Sequence, residues 1–287
     1  MLTILAPAKL NLTLEVLAER PDGFHEIRSV IQTISLCDSL RFRSGQKIEF
    51  SSDMPEWIPE KSLVSGAASL LRETAGSTEG AAIEISKRIP LVSGLGGDSS
   101  DAAATLCGLN RLWGLGLTRE ELLELAVQLG SDVAFFLYGG TALIEGRGEV
   151  VTPLPPLPCM WVVVVVPPVP RLVGKTGQLY AGLDASHYTD GQITKRLTDE
   201  LKAGSEPDPS LLFNAFEDVT FDGFTGLKEY WQRFLEAGAQ GVHLAGSGPA
   251  LFTLVKDKAR AEGLCLRLQE QGLECYLAET SFTERGD

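Results

Sequence analysis

The chain has no Cys-x-x-Cys pair. Its five cysteines (Cys37, Cys107, Cys159, Cys265 and Cys275) are odd in number and scattered through 287 residues. That usage suits a reducing compartment and argues against a disulfide framework or a cysteine-built zinc site. Histidine is also scarce. His25, His187 and His243 stand apart, and His25-Glu26 does not extend to His-Glu-x-x-His because residue 29 is serine, so zinc is not expected. Basic residues fall short of acidic ones, 25 against 38, leaving a net charge of −13. With no long basic run, duplex nucleic acid and anionic membrane surfaces are poor partners. The longest apolar run, residues 160–166, is too short to span a bilayer. No signal or transit segment precedes the strand-like residues 2–5, and internal repeats and low-complexity stretches are missing. What remains is the composition of a cytoplasmic globular protein, 44% apolar and 22% charged, long enough for one large domain or two ordinary ones.

Against this background one stretch stands out: Pro90, Leu91, Val92, Ser93, Gly94, Leu95, Gly96, Gly97, Asp98, Ser99 and Ser100, followed by a helical pattern over 101–113. Glycines allow positive φ and close backbone approach to a ligand. A helix starting directly behind such a turn aims unpaired N–H groups and its positive dipole end into it. The combination makes an anion site suited to phosphate; the bland alternative is a glycine-rich loop with a serine cap. In a protein this acidic, an anionic ligand needs local cations and amides.

The chain read in order is α+β. Residues 10–16 alternate apolar and polar, the pattern of a half-buried strand, and Lys9 at its entry is either a solvated surface charge or a site residue. A turn at 20–25, strands at 30–36 and 40–50, a helix at 61–74 and a strand at 82–87 follow. Thr118 with Glu121 forms a capping box opening a helix that closes at Gly130. Ser131 and Asp132 come next, where Asp132 is either a helix-start residue or a catalytic one. A strand is expected at 141–145. Four prolines in 150–158 read as a linker, placing domains at 1–155 and 156–287. The second half opens on a strand at 161–166 buried on both faces. Helices are expected at 193–202, 210–220, 225–236 and 258–270, a strand–turn–strand over 241–255, and a last strand at 274–279.

Two further patterns fail. Gly174-Lys175-Thr176 imitates the end of a Walker A loop, but the glycine required five residues earlier is Val169. Glycines at 94, 96 and 97 do not satisfy Gly-x-Gly-x-x-Gly, so a Rossmann dinucleotide site is not expected.

Six segments in order resemble the GHMP kinase superfamily of small-molecule kinases: Pro7-Ala-Lys-Leu-Asn-Leu12, Arg20-Pro-Asp-Gly-Phe-His25, Gly94-Leu-Gly-Gly-Asp-Ser-Ser-Asp-Ala102, Gly130-Ser-Asp-Val133, Phe135-Phe-Leu-Tyr-Gly-Gly-Thr141 and Glu145-Gly-Arg-Gly-Glu149. A late turn at Gly246, Ser247 and Gly248 adds a third glycine motif. The resemblance implies a two-domain α+β fold with the active site in the cleft between domains. It implies ATP and Mg²⁺ as cofactors and a small cytidyl diphosphate as substrate, phosphorylated on an alcohol in the non-mevalonate route to isoprenoid precursors. No obligate protein partner is implied. Carried over residue by residue, Asp132 is the general base and Lys9 its cationic partner, an arrangement that offsets repulsion as an alkoxide forms beside a triphosphate. Residues 90–100 form the ATP-phosphate cradle, with a metal bridging the phosphates. Phe24 and His25 take the cytosine, Tyr180 offers a second stacking face, and Asn11 and Thr176 contact substrate.

Two departures from the family pattern are notable. Asp98 stands where many relatives have glycine, and either turns out to solvent or helps to hold the metal. Ser93 replaces a smaller residue. The metal ligands themselves are not assigned. Another member of the superfamily, acting on homoserine or mevalonate, is the nearest rival within enzymes, and a non-catalytic nucleotide binder is the rival outside them.

Overall fold

A computed structural model describes residues 1–170, 174–205 and 207–280. In chain order the elements are β1 (Leu2–Glu19), β2 (His25–Gly45), β3 (Ile48–Ser52), α1 (Leu63–Thr74), β4 (Gly80–Ser86), α2 (Gly97–Leu112), α3 (Arg119–Leu129) and α4 (Ser131–Tyr138). There follow β5 (Thr141–Gly146), β6 (Val150–Pro153), β7 (Trp161–Val166), α5 (Lys175–Ala181), α6 (Gln192–Lys202), β8 (Phe213–Asn214) and α7 (Glu217–Gly223). The chain ends with α8 (Leu227–Glu236), β9 (His243–Leu244), β10 (Leu251–Val255), α9 (Lys258–Glu270) and β11 (Glu274–Glu279). The fold is α+β, and the chain forms two compact units. The first comprises Met1–Ala8, Cys37–Leu91 and Gly96–Gly139; the second comprises Lys9–Leu36, Val92–Leu95 and the chain from Gly140 onward.

In the first unit β2 runs antiparallel to β4, with Leu40 opposite Ile85 and Phe42 opposite Ile83, and β3 runs parallel to β4. Four helices, α1 to α4, pack on one another. Helix α1 buries Val64, Ala67, Ala68 and Leu71, the spacing that gives a helix one apolar face. Its cap is Ser62, whose hydroxyl accepts from the Val64 N–H. The Thr118–Glu121 capping box is formed at the start of α3. Helix α2 is lined with small residues, and at Gly108 this is a requirement: a Cβ there would stand 2.4 Å from the Phe42 ring.

In the second unit the strand order is β6-β5-β2-β1-β8, with β8 parallel to β1, Thr13 opposite Phe213 and Leu14 opposite Asn214. A separate antiparallel sheet runs β11-β7-β10-β9. Val162, Val163, Val164 and Val165 of β7 are fully buried, as its unbroken apolar run predicts. Leu12, Val30, Leu154, Leu157, Leu197, Leu201 and Leu211 form one apolar cluster, each such side chain contributing about 1.5–3 kcal/mol on full burial.

Several expectations need correction. The strands read at 30–36 and 40–50 are one 21-residue strand and a short one. Residues 210–220 are not one helix, because β8 and a turn intervene before α7. Part of the proline-rich 150–158 is strand β6, paired to β5 along the edge where a proline N–H is not needed. Most important, β1 is not half-buried: every residue from Ala6 to Val16 is buried.

Candidate active site

The sequence-predicted site residues fall into two sets, one in each unit. In the second unit the polar face of β1 carries Lys9, Asn11, Thr13 and Glu15, all buried at 5% exposure or less. Lys9 is therefore not a solvated surface charge. Buried polar groups need partners, and each of these side chains has at least one, although the second Glu15 oxygen has none among the described residues. The Lys9 ammonium donates to Asn11 Oδ1 (2.7 Å), Asn11 Nδ2 to Ser29 Oγ (2.9 Å), and Ser29 Oγ to the Thr13 carbonyl. Thr13 Oγ1 accepts from the Val30 N–H (2.9 Å) and from Thr194 Oγ1 (2.8 Å). Glu15 accepts the Thr194 N–H (2.7 Å) in the first turn of α6, where a carboxylate is favoured by the helix dipole. Lys9 is the exit of a fixed polar row.

Over this row two glycine turns meet. Gly94 has φ +91°, and a Cβ built on it would lie 2.0 Å from the Ala245 carbonyl oxygen and 2.8 Å from the Gly248 nitrogen. Only glycine permits that approach. Gly246 has φ +56°, and a Cβ there would stand 3.1 Å from the Lys9 ammonium and 3.3 Å from Asn11 Oδ1. The Lys9 N–H donates to the Leu95 carbonyl (2.9 Å), and the Ala250 N–H to the Ser93 carbonyl (3.0 Å). Ser93 is buried. Asn214 holds the later turn: its side-chain amide donates to the carbonyls of Leu244 (2.9 Å) and Gly246 (2.8 Å). Sequence reasoning missed Asn214, because its partners lie 30 and 32 residues away and no local pattern marks them. Thr176, at the start of α5, sits with its hydroxyl 3.1 Å from that of Ser247.

The aromatic set is in the same unit. His25 stacks on Tyr180, centroids 4.7 Å apart at 23°. Tyr188 meets His25 edge-on, its hydroxyl 3.4 Å from Nε2, and Phe216 backs Tyr180 edge-on at 4.9 Å. Tyr188 and Phe216 were not marked by the sequence. Phe24 is placed apart from this stack. The residue is 55% exposed, with the Arg147 guanidinium 4.8 Å from its ring centroid, and its N–H is fixed by Asp22 Oδ1 (3.1 Å). That backbone hydrogen bond holds the Asp22 carboxyl below its usual range.

In the first unit α2 starts at Gly97, not at 101, with Gly96 (φ +76°) as its cap. Asp98, Ser99 and Ser100 thus form the first helical turn, and the unpaired N–H groups belong to the glycine–serine loop itself. Pro90 and Leu91 lead into it, half-buried. Asp98 does not turn out to solvent. Its carboxylate accepts from Ser62 Oγ and from the Leu63 N–H (3.0 Å), so it caps the start of α1. The Ser100 hydroxyl is buried with no hydrogen-bond partner among the described residues.

Behind the loop, the Lys87 ammonium pairs with both Asp38 and Asp101 (2.7 Å to the latter). The second Asp38 oxygen accepts the N–H groups of Arg88 and Ile89 (2.8 Å to Ile89), directing the chain toward Pro90. Burial pushes the Asp101 carboxyl up to about 8, the Lys87 charge opposing and Asp38 reinforcing it. Burial works against the Lys87 charge, but the two carboxylates outweigh it and hold the ammonium above its usual range. Asp132 is the second residue of α4, behind Gly130 and Ser131, and is half-buried. Among the described residues no three His, Cys, Asp or Glu side chains are grouped to hold a metal ion.

Comparison with known proteins places this geometry. Residues 62–140 match the model described as the GHMP kinases N terminal domain, and residues 199–273 that described as GHMP kinases C terminal. A 4-diphosphocytidyl-2-C-methyl-D-erythritol kinase of Dehalococcoides mccartyi is 52% identical over 280 residues, 98% of each chain. One of Geobacillus kaustophilus is 40% identical over 268 residues, 91% of this chain and 90% of the relative. The crystal structure of a 4-(cytidine 5'-diphospho)-2C-methyl-D-erythritol kinase matches with TM-score 0.83 at 33% identity, covering 98% of this chain and all of that one (100%). Leishmania major mevalonate kinase, at TM-score 0.72 and 19% identity over 98% of this chain and 96% of its own, shares the fold. With two glycine turns closed over a buried lysine, and relatives of one name along nearly its whole length, the chain belongs to the GHMP kinases, in the family of 4-diphosphocytidyl-2-C-methyl-D-erythritol kinases.

Proposed function

We propose that the chain transfers the γ-phosphoryl group of ATP to the 2-hydroxyl of 4-diphosphocytidyl-2-C-methyl-D-erythritol, in non-mevalonate isoprenoid precursor biosynthesis. The observation that carries this reading is the 52% identity to a relative of that name across 98% of both chains. The site agrees with it. Lys9 is a buried cation beside a glycine turn, and such a cation would offset the charge that develops when a hydroxyl attacks a phosphoryl group. Asp132 is the general base that takes the hydroxyl proton, and Lys9 offsets the charge of the resulting alkoxide. The main-chain N–H groups of the loop 90–100 cradle the phosphates; Asp98 serves that cradle only indirectly, through α1. His25 and Tyr180 receive the cytosine, with Phe24 offering an exposed ring in the turn before His25, and Asn11 and Thr176 along the rest of the substrate. Residues 1–155 and 156–287 are the two functional halves.

Mg²⁺ bound with the nucleotide would neutralise phosphate charge. The Ser100 hydroxyl fits such an ion, being a hard oxygen donor left without another partner, and a metal that arrives with its phosphates needs no carboxylate cage. We place the enzyme in the cytoplasm, where its nucleotide is. Among the described residues no helix is long and apolar enough to cross a membrane.

The test is ADP release by the purified protein with ATP and Mg²⁺ against the diphosphocytidyl compound, homoserine, mevalonate and galactose. Turnover restricted to the cytidyl compound is expected. Turnover with another of these alcohols would keep the kinase and discard the cytosine site.

A further inference from the structure

Lys175 belongs to the Gly-Lys-Thr triplet that fails as a Walker A loop, and no role has yet been given to it. It opens α5 and is buried, at 9% exposure. Its ammonium donates to the carbonyl of Val92 (2.8 Å) and to that of Gly248. These carbonyls belong to the two glycine turns that meet over Lys9. Val92 is also the one non-glycine residue with positive φ among the described residues, at +57°, a conformation a β-branched side chain takes only when its surroundings hold it there. The lysine is thus a staple across both turns.

The staple has a charge left over. An ammonium carries three protons, and Lys175 uses two. Both acceptors are neutral main-chain oxygens, and no carboxylate bears on the residue among the described ones. Burial, and after it the charge of Lys9, lowers the Lys175 pKa to about 8. A buried cation without an anion beside it is unfavourable, and the Lys9 charge adds to the cost at Lys175. A bound anion removes both penalties.

We infer that Lys175 is a second ammonium of the phosphate site, whose third proton is donated to an oxygen of a diphosphate group while the other two hold Val92 and Gly248. The inference rests on the reading above that this site receives polyphosphate. The diphosphate comes either from the nucleotide donor or from the cytidyl acceptor, which share this chemistry. Because the ligand restores the charged form, binding near pH 8 takes up protons.

The experiment is isothermal titration of the whole protein at pH 8, in two buffers of different ionisation enthalpy, with ADP and Mg²⁺ in one arm and CDP in the other. At that pH the phosphates are already ionised, so uptake reports on the protein. Wild type is expected to take up close to half a proton with at least one ligand. Uptake with ADP assigns the donor phosphates, and uptake with CDP the acceptor diphosphate. Lys175→Met is expected to lose the uptake and to bind that ligand at least tenfold more weakly. Lys175→Arg, which keeps the charge at every pH used, is expected to bind without uptake and to hold its affinity from pH 7 to 9, while wild type weakens. Absence of uptake in wild type with both ligands, or persistence of uptake or affinity in Lys175→Met, overturns the assignment. A failure of the kinase reading is seen separately, as absent ADP release from wild type with ATP and the cytidyl substrate.

Discussion

Replacing Gly94 by alanine tests the meeting of the two glycine turns. Two costs are separable. The first is conformational: alanine at φ +91° costs about 1–2 kcal/mol. The second is steric. A Cβ 2.0 Å from the Ala245 carbonyl oxygen and 2.8 Å from the Gly248 nitrogen meets backbone on both sides, so no side chain can turn away to relieve it. A turn must move by more than an ångström, at about 1–3 kcal/mol for a shift of this kind in a packed region. Together these give roughly 2–5 kcal/mol, or a fall in melting temperature of roughly 5–15 °C. Gly114→Ala isolates the first cost, because Gly114 has φ +61° and nothing within 4 Å of its would-be Cβ; it should lose only about 1–2 kcal/mol. Differential scanning calorimetry of both variants, with the KM for ATP measured beside it, decides the matter. Gly94→Ala is expected to melt well below Gly114→Ala and to show a raised KM. Equal melting temperatures with wild-type KM in Gly94→Ala would refute the close approach.

The Lys87 cluster separates its two carboxylates. Asp38→Asn weakens the ion pair and disturbs the acceptor of two backbone N–H groups, at about 3–5 kcal/mol, whereas Asp101→Asn should cost less, because burial already favours the neutral form of that carboxyl. Because the Asp101 pKa is raised from 3.8 to about 8, its stabilising contribution is full below pH 3.8 and is lost as pH rises toward 8. Urea melts at pH 5 and pH 8 should show wild type losing stability relative to Asp101→Asn; a constant difference would contradict this. Asn214→Ala removes both donors to the later glycine turn and leaves two buried carbonyls unpaired, for about 2–4 kcal/mol by urea denaturation. Tyr180→Ala takes away the ring stacked on His25 and should raise the KM for the cytidyl substrate about tenfold, leaving the KM for ATP unchanged; equal changes in both would place the stack elsewhere than at the cytosine.

Legibility in the sequence followed the range of the interaction. The glycine loop was readable because Gly94 and Gly96 announce positive φ from their own chemistry, and the Thr118–Glu121 box because both partners lie within four residues. Asp98 was not readable. A carboxylate in a phosphate loop has two local explanations, and the actual partners, Ser62 and Leu63, are 36 and 35 residues away. The start of α2 was set too late because glycine and serine are weak helix formers, a preference overridden once α1 and α4 pack against that helix. Lys9 illustrates the commonest error. Alternation in β1 suggested one wet face, since a row of Lys, Asn, Thr and Glu resembles solvent-facing residues. Nothing local distinguishes it from a buried row whose partners are Ser29 and Thr194.

That buried row also bears on how the chain finds its pairing. A strand with one wet face can slide by two residues and keep its pattern, and such strands are where misregistered or swapped pairings arise. In β1 every position from Ala6 to Val16 is enclosed, so a slip by one would drive Lys9 and Glu15 into the leucine layer, and a slip by two would part Asn11 from Ser29 and Glu15 from α6. Each wrong alignment strands a polar side chain without its partner in a dry interior. The same residues that hold a cation ready for chemistry therefore act during folding as a proofreading code, admitting one alignment of the strand and rejecting its neighbours.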